Sequence, residues 1–278
     1  RTRELFAQED ISYLDLTGNI RLVMRTPPTF VEVTGADRRP RTASSKRTVG
    51  LGGAKVGRVI RFLAEVAPPY GVIGIEEETG ISRGYVSRLL DQLADEALIR
   101  REPRGPVEQV DWPAMLRLRG QSVDLFTANT SRSFVAPNGA RAAFESLAGS
   151  SVMADVVVTG SFAAIRKAPI AAPALLTLYL RPEGRGPAFE EVRSALGLLP
   201  ADEGADVVLL WPSNDRVVED TWVADGVEFV NLPQLVVDCL GGSGRMPAEG
   251  EALIEWMQKN PETWRWESLA AYRNRPRR

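Results

Sequence analysis

The sequence lacks histidine altogether and contains one cysteine, Cys239, among its 278 residues. Without histidine the chain cannot form the Ser-His or Cys-His pairs that activate most nucleophiles, and it lacks the commonest metal ligand. One cysteine excludes an internal disulfide and the thiolate clusters that hold zinc or iron–sulfur groups. Only carboxylate, lysine, tyrosine or serine chemistry remains open to an enzyme. We therefore expect no metal, no cofactor and no catalytic residues.

Long hydrophobic runs are also missing. No stretch of about 18 apolar residues occurs and no secretory signal is evident, so we expect neither a membrane protein nor an exported one. The net charge of −2 provides no overall basic field. Binding to nucleic acid would therefore depend on a local patch of basic residues. A reducing cytoplasm suits this composition, and we expect a cytoplasmic protein.

The N-terminal residues 1–35 have the alternation of β-strands. The stretch "ISYLDLTGNIRLVM" predicts a hairpin that turns at Thr17, Gly18 and Asn19, and "TFVEVTG" predicts a third strand. Residues 36–53 are rich in arginine, serine and glycine and have no periodicity. This composition predicts an exposed basic linker, with an arm that follows DNA phosphates as the alternative.

Residues 54–119 predict three helices and a two-stranded ribbon. Apolar residues recur at helical spacing from Val56 to Val66, and Pro68 and Pro69 end this first helix. A short second helix precedes Gly80, and Ser82 is placed to cap the third. The buried positions of the third helix are expected to be Val86, Leu89, Leu90 and Leu93. The stretch "ALIRREPRGPVEQVDW" then has the pattern of two strands with an arginine-rich tip, which completes a winged helix-turn-helix.

In such a domain the third helix enters the major groove of double-stranded DNA and the ribbon contacts the backbone. Polar and basic side chains on the outward face of the helix suit base edges and phosphates. The predicted DNA-binding residues on the helix and ribbon are Ser82, Arg83, Gly84, Tyr85, Ser87, Arg88, Gln92, Arg101 and Arg104. A winged helix that binds another protein remains the alternative, because acidic and basic residues are equal in number over 54–119.

The stretch from Val72 to Arg101 resembles the winged helix-turn-helix of MarR-type bacterial transcription regulators. The resemblance rests on Thr79-Gly80-Ile81-Ser82, on Val86-Ser87-Arg88 and on the exit motif from Leu93 to Arg100. It implies a sequence-specific transcriptional regulator such as a repressor, associated with the nucleoid and often a two-fold dimer. Glu76 departs from the pattern, because such domains usually have a small residue at this position.

The C-terminal half predicts a different architecture. Residues 120–150 have a helical pattern and are expected to connect the two halves, and strands alternate with helices over 151–278. The expected fold class is therefore α+β and multidomain: a short N-terminal β segment, a winged helix-turn-helix and a C-terminal α/β domain. That last domain would serve in dimerisation, ligand sensing or partner binding.

The stretch "VVVTGSFAA" resembles the start of a nucleotidyltransferase domain, in which the next strand carries two metal-binding carboxylates. Here that strand is "LLTLYL", which has no carboxylate, so we expect no catalysis by this route. A similar arrangement without catalytic acids is found in AbiEi-type antitoxins. The residues that carry this resemblance are Thr159-Gly160-Ser161, Ala163-Ala164, Tyr179, "VVLLWP", and Leu232-Pro233-Gln234-Leu235 before Asp238. The resemblance implies a cognate toxin or another protein as partner.

Two further patterns have weaker functional interpretations. Asp15 and Glu32 resemble the acidic pair of restriction-type nucleases, but Thr34 occupies the position of the lysine, which favours a chance match. Trp256, Trp264 and Trp266 alternate with arginines near the C-terminus and suggest stacking on single-stranded nucleic acid. A packed amphipathic helix followed by a frayed basic tail is favoured there. The main hypothesis is thus a non-enzymatic DNA-binding regulator; the alternatives are an antitoxin-like interaction module or a DNA-associated nucleotidyltransferase- or nuclease-like enzyme.

Overall fold

The structure is a computed structural model that describes Phe6, Glu9 and residues 11–14, 20–34, 50–182 and 189–275. The predicted turn at 17–19, Asp15 and most of the basic segment 36–53 lie outside these residues. Contacts divide the chain into two compact units, Arg1–Thr48 and Val49–Arg278. The predicted parts 54–119, 120–150 and 151–278 therefore all belong to the second unit. The described residues have a mixed α+β fold.

The first unit contains a three-stranded antiparallel sheet in the order β1-β2-β3. Its strands are β1 (Tyr13–Leu14), β2 (Ile20–Arg25) and β3 (Pro28–Val33). Strands β2 and β3 pair along their whole length, with Ile20 opposite Val33. The strands predicted from the alternating pattern are thus present at the expected places.

The second unit begins with three helices and a hairpin. These elements are α1 (Ala54–Glu65), α2 (Val72–Thr79), α3 (Arg83–Asp95), β4 (Ile99–Arg101) and β5 (Val107–Val110). The apolar residues that defined the first helix are buried, with Val56 and Leu63 fully enclosed. Tyr70, between α1 and α2, forms an antiparallel bridge with Val107 and so joins the hairpin to the helices. Burial of the apolar stripe holds these short helices in place.

Helix α4 (Trp112–Gln121) follows the hairpin and begins at a side-chain cap. The Asp111 carboxylate accepts a hydrogen bond from the Ala114 amide at 3.0 Å. The structure differs from the prediction that 120–150 is a helical connector, because this segment contains strand β6 (Thr130–Val135). Strand β6 pairs with a later strand over five residues, so its backbone groups are satisfied within the sheet.

A seven-stranded mixed sheet forms the centre of the C-terminal half, in the order β11-β12-β7-β8-β10-β6-β9. The strands after β6 are β7 (Val156–Thr159), β8 (Leu176–Leu180), β9 (Leu199–Pro200), β10 (Val207–Trp211), β11 (Trp222–Ala224) and β12 (Val227–Phe229). Strands β8 and β10 are parallel, whereas β7 and β8 are antiparallel. Every residue of β7 and β8 is buried, which explains why both have continuous apolar or uncharged sequences.

Six further helices pack in this half. They are α5 (Gly139–Leu147), α6 (Ser161–Ala164), α7 (Phe189–Ala195), α8 (Leu232–Leu240), α9 (Met246–Lys259) and α10 (Leu269–Arg273). Short 3-10 turns lie at Met153–Asp155, Asp215–Val218 and Pro261–Thr263. Helix α8 packs against both α4 and α9, and it also contacts α1. It thus connects the three-helix part to the sheet.

The C-terminal segment 261–275 is docked rather than frayed. The Trp266 amide donates to the Glu65 carbonyl at 2.7 Å, and the Ala67 amide donates to the Trp266 carbonyl at 2.8 Å. Arg273, on α10, pairs with Glu77 and Glu78 of α2. Backbone pairing and ion pairs therefore hold this segment against the first two helices, which corrects the expectation of a frayed tail for these residues.

Candidate nucleic-acid interface

Helix α3 buries one face and presents the other to solvent. Val86, Leu89, Leu90 and Leu93 are completely buried, as the apolar spacing predicted. Of the predicted contact residues at this helix, Ser82, Arg83, Gly84 and Arg88 are exposed, and Tyr85, Ser87 and Gln92 are partly buried. The structure thus places these residues around the start and the open side of one helix.

The turn between α2 and α3 has a left-handed glycine and an acidic cap. Gly80 has φ 66°, a conformation that glycine adopts at little cost. Ser82 stands at the N-cap position, but its side chain makes no capping hydrogen bond. Glu76 takes this role instead: its carboxylate accepts from the Arg83 amide at 3.3 Å and from Arg83 Nε at 2.5 Å. Ser82 is thus at the predicted N-cap position, but Glu76, the residue that departs from the MarR pattern, accepts the hydrogen bonds from Arg83 there.

Two of the partly buried residues of this face, Tyr85 and Gln92, have protein partners. Tyr85 packs against the core, and burial raises the pKa of its hydroxyl. Lys55 lies 5.8 Å from the centre of the Tyr85 ring, within the range of a cation–π contact. Gln92 donates from Nε2 to Glu96 at 3.1 Å. Arg88, in contrast, is exposed and has no ion pair with any residue that the structure describes. It is the basic side chain of this helix that is best placed for an external partner.

The hairpin exposes one arginine at its tip and partly buries another. Arg104 is exposed and has φ 60°, a left-handed value that is unfavourable for a side chain other than glycine or asparagine. It lies in a tight turn in which the Gly105 amide donates to the Glu102 carbonyl at 2.8 Å. Arg101 is only partly exposed, and its Nε and Nη1 are buried. The predicted external contact of Arg101 therefore involves at most its remaining nitrogen.

A second polar cluster lies inside the C-terminal half, around Asp238 on α8. This carboxylate is 3% exposed and accepts three hydrogen bonds: from Thr159 at 2.6 Å, from Gln234 at 2.6 Å and from Tyr179 at 3.2 Å. Burial raises the pKa of Asp238 to about 6, although the hydrogen bonds oppose this change. The structure thus brings together four residues that the sequence analysis had linked only through a resemblance.

Strand β8 is the place where a nucleotidyltransferase would hold its metal ligands. Its side chains are buried, and Thr177 and Tyr179 stand where alternate carboxylates would be needed. Thr159 is paired with Thr177 across the sheet, and Asp238 of α8 bonds to Thr159 and Tyr179 on the same face. A helix thus covers the strand face on which a substrate would have to bind. Among the described residues, no group of three or more acidic or cysteine side chains could hold a metal ion.

The structure also shows the surroundings of Glu32, from the nuclease-like acidic pair, and of the C-terminal tryptophans. Glu32, on β3, lies 3.9 Å from Arg21 in an ion pair, and its predicted partner Asp15 is outside the described residues. Trp264 packs edge-on against Trp112 and donates from its ring nitrogen to the Met257 carbonyl at 2.9 Å. Trp256 and Trp266 are also packed against the core. The tryptophans therefore fill gaps between elements, which favours the packing interpretation over stacking on nucleic acid.

Comparisons of the chain with protein-family models, with curated proteins and with solved structures found no match. In the part of the chain that the structure describes, no helix is long and apolar enough to cross a membrane.

Proposed function

We propose that this protein is a sequence-specific transcriptional regulator that binds double-stranded DNA. The observation that carries the proposal is the exposed face of α3 beside a hairpin that has Arg104 at its tip; on this face Arg88 makes no ion pair with any described residue. Helices α1 to α3 and the hairpin follow one another in the order of a winged helix-turn-helix. The bridge between Tyr70 and Val107 holds the hairpin against the helices. Helix α3 would enter the major groove and the hairpin would contact the backbone.

The C-terminal half supports a binding role better than a catalytic one in this proposal. Strand β8 has no carboxylate and is covered by α8, so the nucleotidyltransferase alternative has no metal ligands at the expected place. We propose that this half serves in sensing, in dimerisation or in binding a partner such as a cognate toxin.

Replacing Arg88 with alanine is expected to weaken specific binding by about 1–3 kcal/mol, because one base contact in the major groove has roughly that value. The measurement is fluorescence anisotropy with DNA from upstream of the protein's own gene, and a scrambled duplex shows how much of the loss is specific. Arg141→Ala is a matched control, since Arg141 is an exposed arginine on α5 that pairs with Glu145. Unchanged affinity of Arg88→Ala on both duplexes would contradict the proposed docking.

Arg104→Gly should weaken binding to both duplexes alike and reduce the salt dependence of binding by the contribution of about one phosphate contact. The same change removes a side chain from a left-handed position, so the free energy of unfolding is expected to stay equal or to rise by up to about 1 kcal/mol. Anisotropy across a salt series, together with urea unfolding, tests both parts. A variant that is clearly less stable, or one with the wild-type salt dependence, would show that the tip of the hairpin has another role.

A further inference from the structure

Among the described residues of the second unit, two arginines are buried and make no salt bridge. Arg61, on α1, is 7% exposed, and Arg119, at the end of α4, is 9% exposed. Arg61 donates from Nη1 to the Gln234 side chain at 3.3 Å, and Arg119 donates to the Leu51 carbonyl. Neither guanidinium lies within 4.0 Å of a carboxylate among the described residues. Buried charges are normally paired, so this arrangement requires an explanation.

Both guanidinium groups line one cavity of about 60 Å³ between α1, α4 and α8. Because a buried water needs roughly 10–15 Å³ of such space, the cavity has room for about four to six water-sized groups. Asn129, Gln234 and Asp238 also line it. The space therefore matches a small polyatomic ion and is much smaller than a nucleotide or a peptide would need.

Among the residues that line the cavity, two guanidinium groups face one carboxylate, Asp238, while Glu65 and Asp220 act on Arg61 from outside the lining. Burial lowers the pKa of Arg119 to about 10, and the positive charge of Arg61 acts in the same direction. Asp238 opposes these two cations, but its oxygens already accept bonds from Thr159, Tyr179 and Gln234. Of these carboxylates only Asp238 acts on Arg119, so an anion in the cavity would supply this guanidinium with a second negative partner, and arginine binds planar or tetrahedral oxyanions especially well.

The backbone also makes room for this arrangement. Gly57 is the fourth residue of α1, and glycine inside a helix is roughly 1 kcal/mol less favourable than alanine. A Cβ atom at this position would lie 2.7 Å from Arg119 Nη2. Glycine at residue 57 thus allows the guanidinium of Arg119 to lie against the helix that carries Arg61.

We propose that this cavity binds a small oxyanion of the phosphate or carboxylate class, held between Arg61 and Arg119. The site joins the first helix of the three-helix part to α4 and α8, so its occupant would contact both halves of the second unit. The proposal does not rest on DNA binding, because the anion can be titrated into the protein alone.

The test is calorimetric titration of the full chain with sodium phosphate and with sodium acetate at pH 8, in sodium chloride adjusted to constant ionic strength. Each anion that binds identifies its class: tetrahedral for phosphate, planar for acetate. Arg61→Gln and Arg119→Gln are each expected to weaken binding roughly tenfold to hundredfold, since each removes a charged hydrogen bond. Arg58→Gln is the matched control, because Arg58 lies on the same helix but bonds to the Thr79 carbonyl and does not line the cavity.

Asp238→Asn provides a test in the opposite direction. It removes the negative charge that faces the arginines, so binding of the anion is expected to become roughly tenfold tighter. The asparagine amide can donate to the Thr159 hydroxyl, and its oxygen can accept from Gln234, so the fold should be retained. The proposal is overturned if neither anion binds above the chloride background, or if both arginine variants bind like wild type. If those two variants do not fold, unchanged or weaker binding by Asp238→Asn overturns it.

Discussion

Replacing Asp238 with alanine is expected to lower the free energy of unfolding by about 3–5 kcal/mol at pH 7.5. The carboxylate accepts hydrogen bonds from Thr159, Tyr179 and Gln234, and the first two of these residues are no more than 1% exposed. Alanine would leave the three donors without their acceptor; Thr159 lies away from the cavity and would have no replacement partner, whereas Tyr179 and Gln234 line it. Each unsatisfied buried group typically destabilises a protein by about 1–3 kcal/mol, and the relaxation of Gln234 toward the cavity recovers part of this.

Urea unfolding of the purified variants measures this effect, with Tyr179→Phe as the comparison. Phenylalanine keeps the volume of the ring and removes one donor, so it should change the free energy of unfolding by only about 0.5–1.5 kcal/mol. A value for Asp238→Ala within about 1 kcal/mol of wild type would mean that the buried network does not stabilise the link between α8 and the sheet.

The second large effect concerns Glu65, at the end of α1. This carboxylate is buried, and burial raises its pKa from an ordinary value of 4.5 to about 7; Asp220 adds to this change, whereas Arg61 and Arg275 oppose it. A raised pKa means that the folded state holds the proton up to about pH 7, whereas the unfolded chain releases it near pH 4.5. The folded protein binds more protons between these values, so its stability falls as the pH rises through this range.

Glu65→Gln is expected to prevent this fall in stability with rising pH, because glutamine resembles the protonated acid. The variant should be as stable as wild type at pH 4 and more stable at pH 8 by about 3 kcal/mol. This value is the difference between the folded and unfolded pKa of Glu65, converted at about 1.4 kcal/mol per pKa unit. Urea unfolding at the two pH values tests this. Glu77→Gln serves as the control, since Glu77 lies on the neighbouring helix α2 and is exposed and paired with Arg273. It is expected to change stability by less than about 1 kcal/mol. Equal stability of Glu65→Gln and wild type at pH 8 would contradict the prediction.

The local elements were largely predictable from residue patterns. The stripe from Val56 to Leu63 and the stripe from Val86 to Leu93 are buried as expected, because helical periodicity directly reports which side of a helix faces the core. The continuous apolar strands around Val157, Leu178 and Leu209 were also recognisable, since strands in the middle of a sheet are buried on both faces.

Strand β6 was not predictable in the same way. Its sequence, Thr130–Val135, is polar, and four of its six residues are exposed. Its place in the sheet comes from backbone pairing with β10, to which side-chain hydropathy gives no guide. The short strands β9 and β11 were missed for a related reason, since two or three residues contain too little of a period to recognise.

The predicted DNA-binding face could be only partly described from the sequence. The pattern identified the outward side of α3, but only the fold shows that Arg83 is engaged by Glu76 and that Arg101 is largely withdrawn. Whether a surface arginine is free depends on residues from neighbouring elements, and these are not adjacent in sequence.

The sequence by itself therefore determined that the chain has no histidine chemistry, where most helices and strands of the second unit lie, and which side of α3 faces solvent. These properties follow from composition and from periodicity over a few turns. Only the tertiary structure decided that Arg61 and Arg119 share a buried cavity and that Thr159, Tyr179, Gln234 and Asp238 form one network. These residues lie between 4 and 177 positions apart along the chain. Their burial depends on how helices α1, α4 and α8 pack, and an arginine on a helix has no local signal that distinguishes a solvated side chain from an enclosed one.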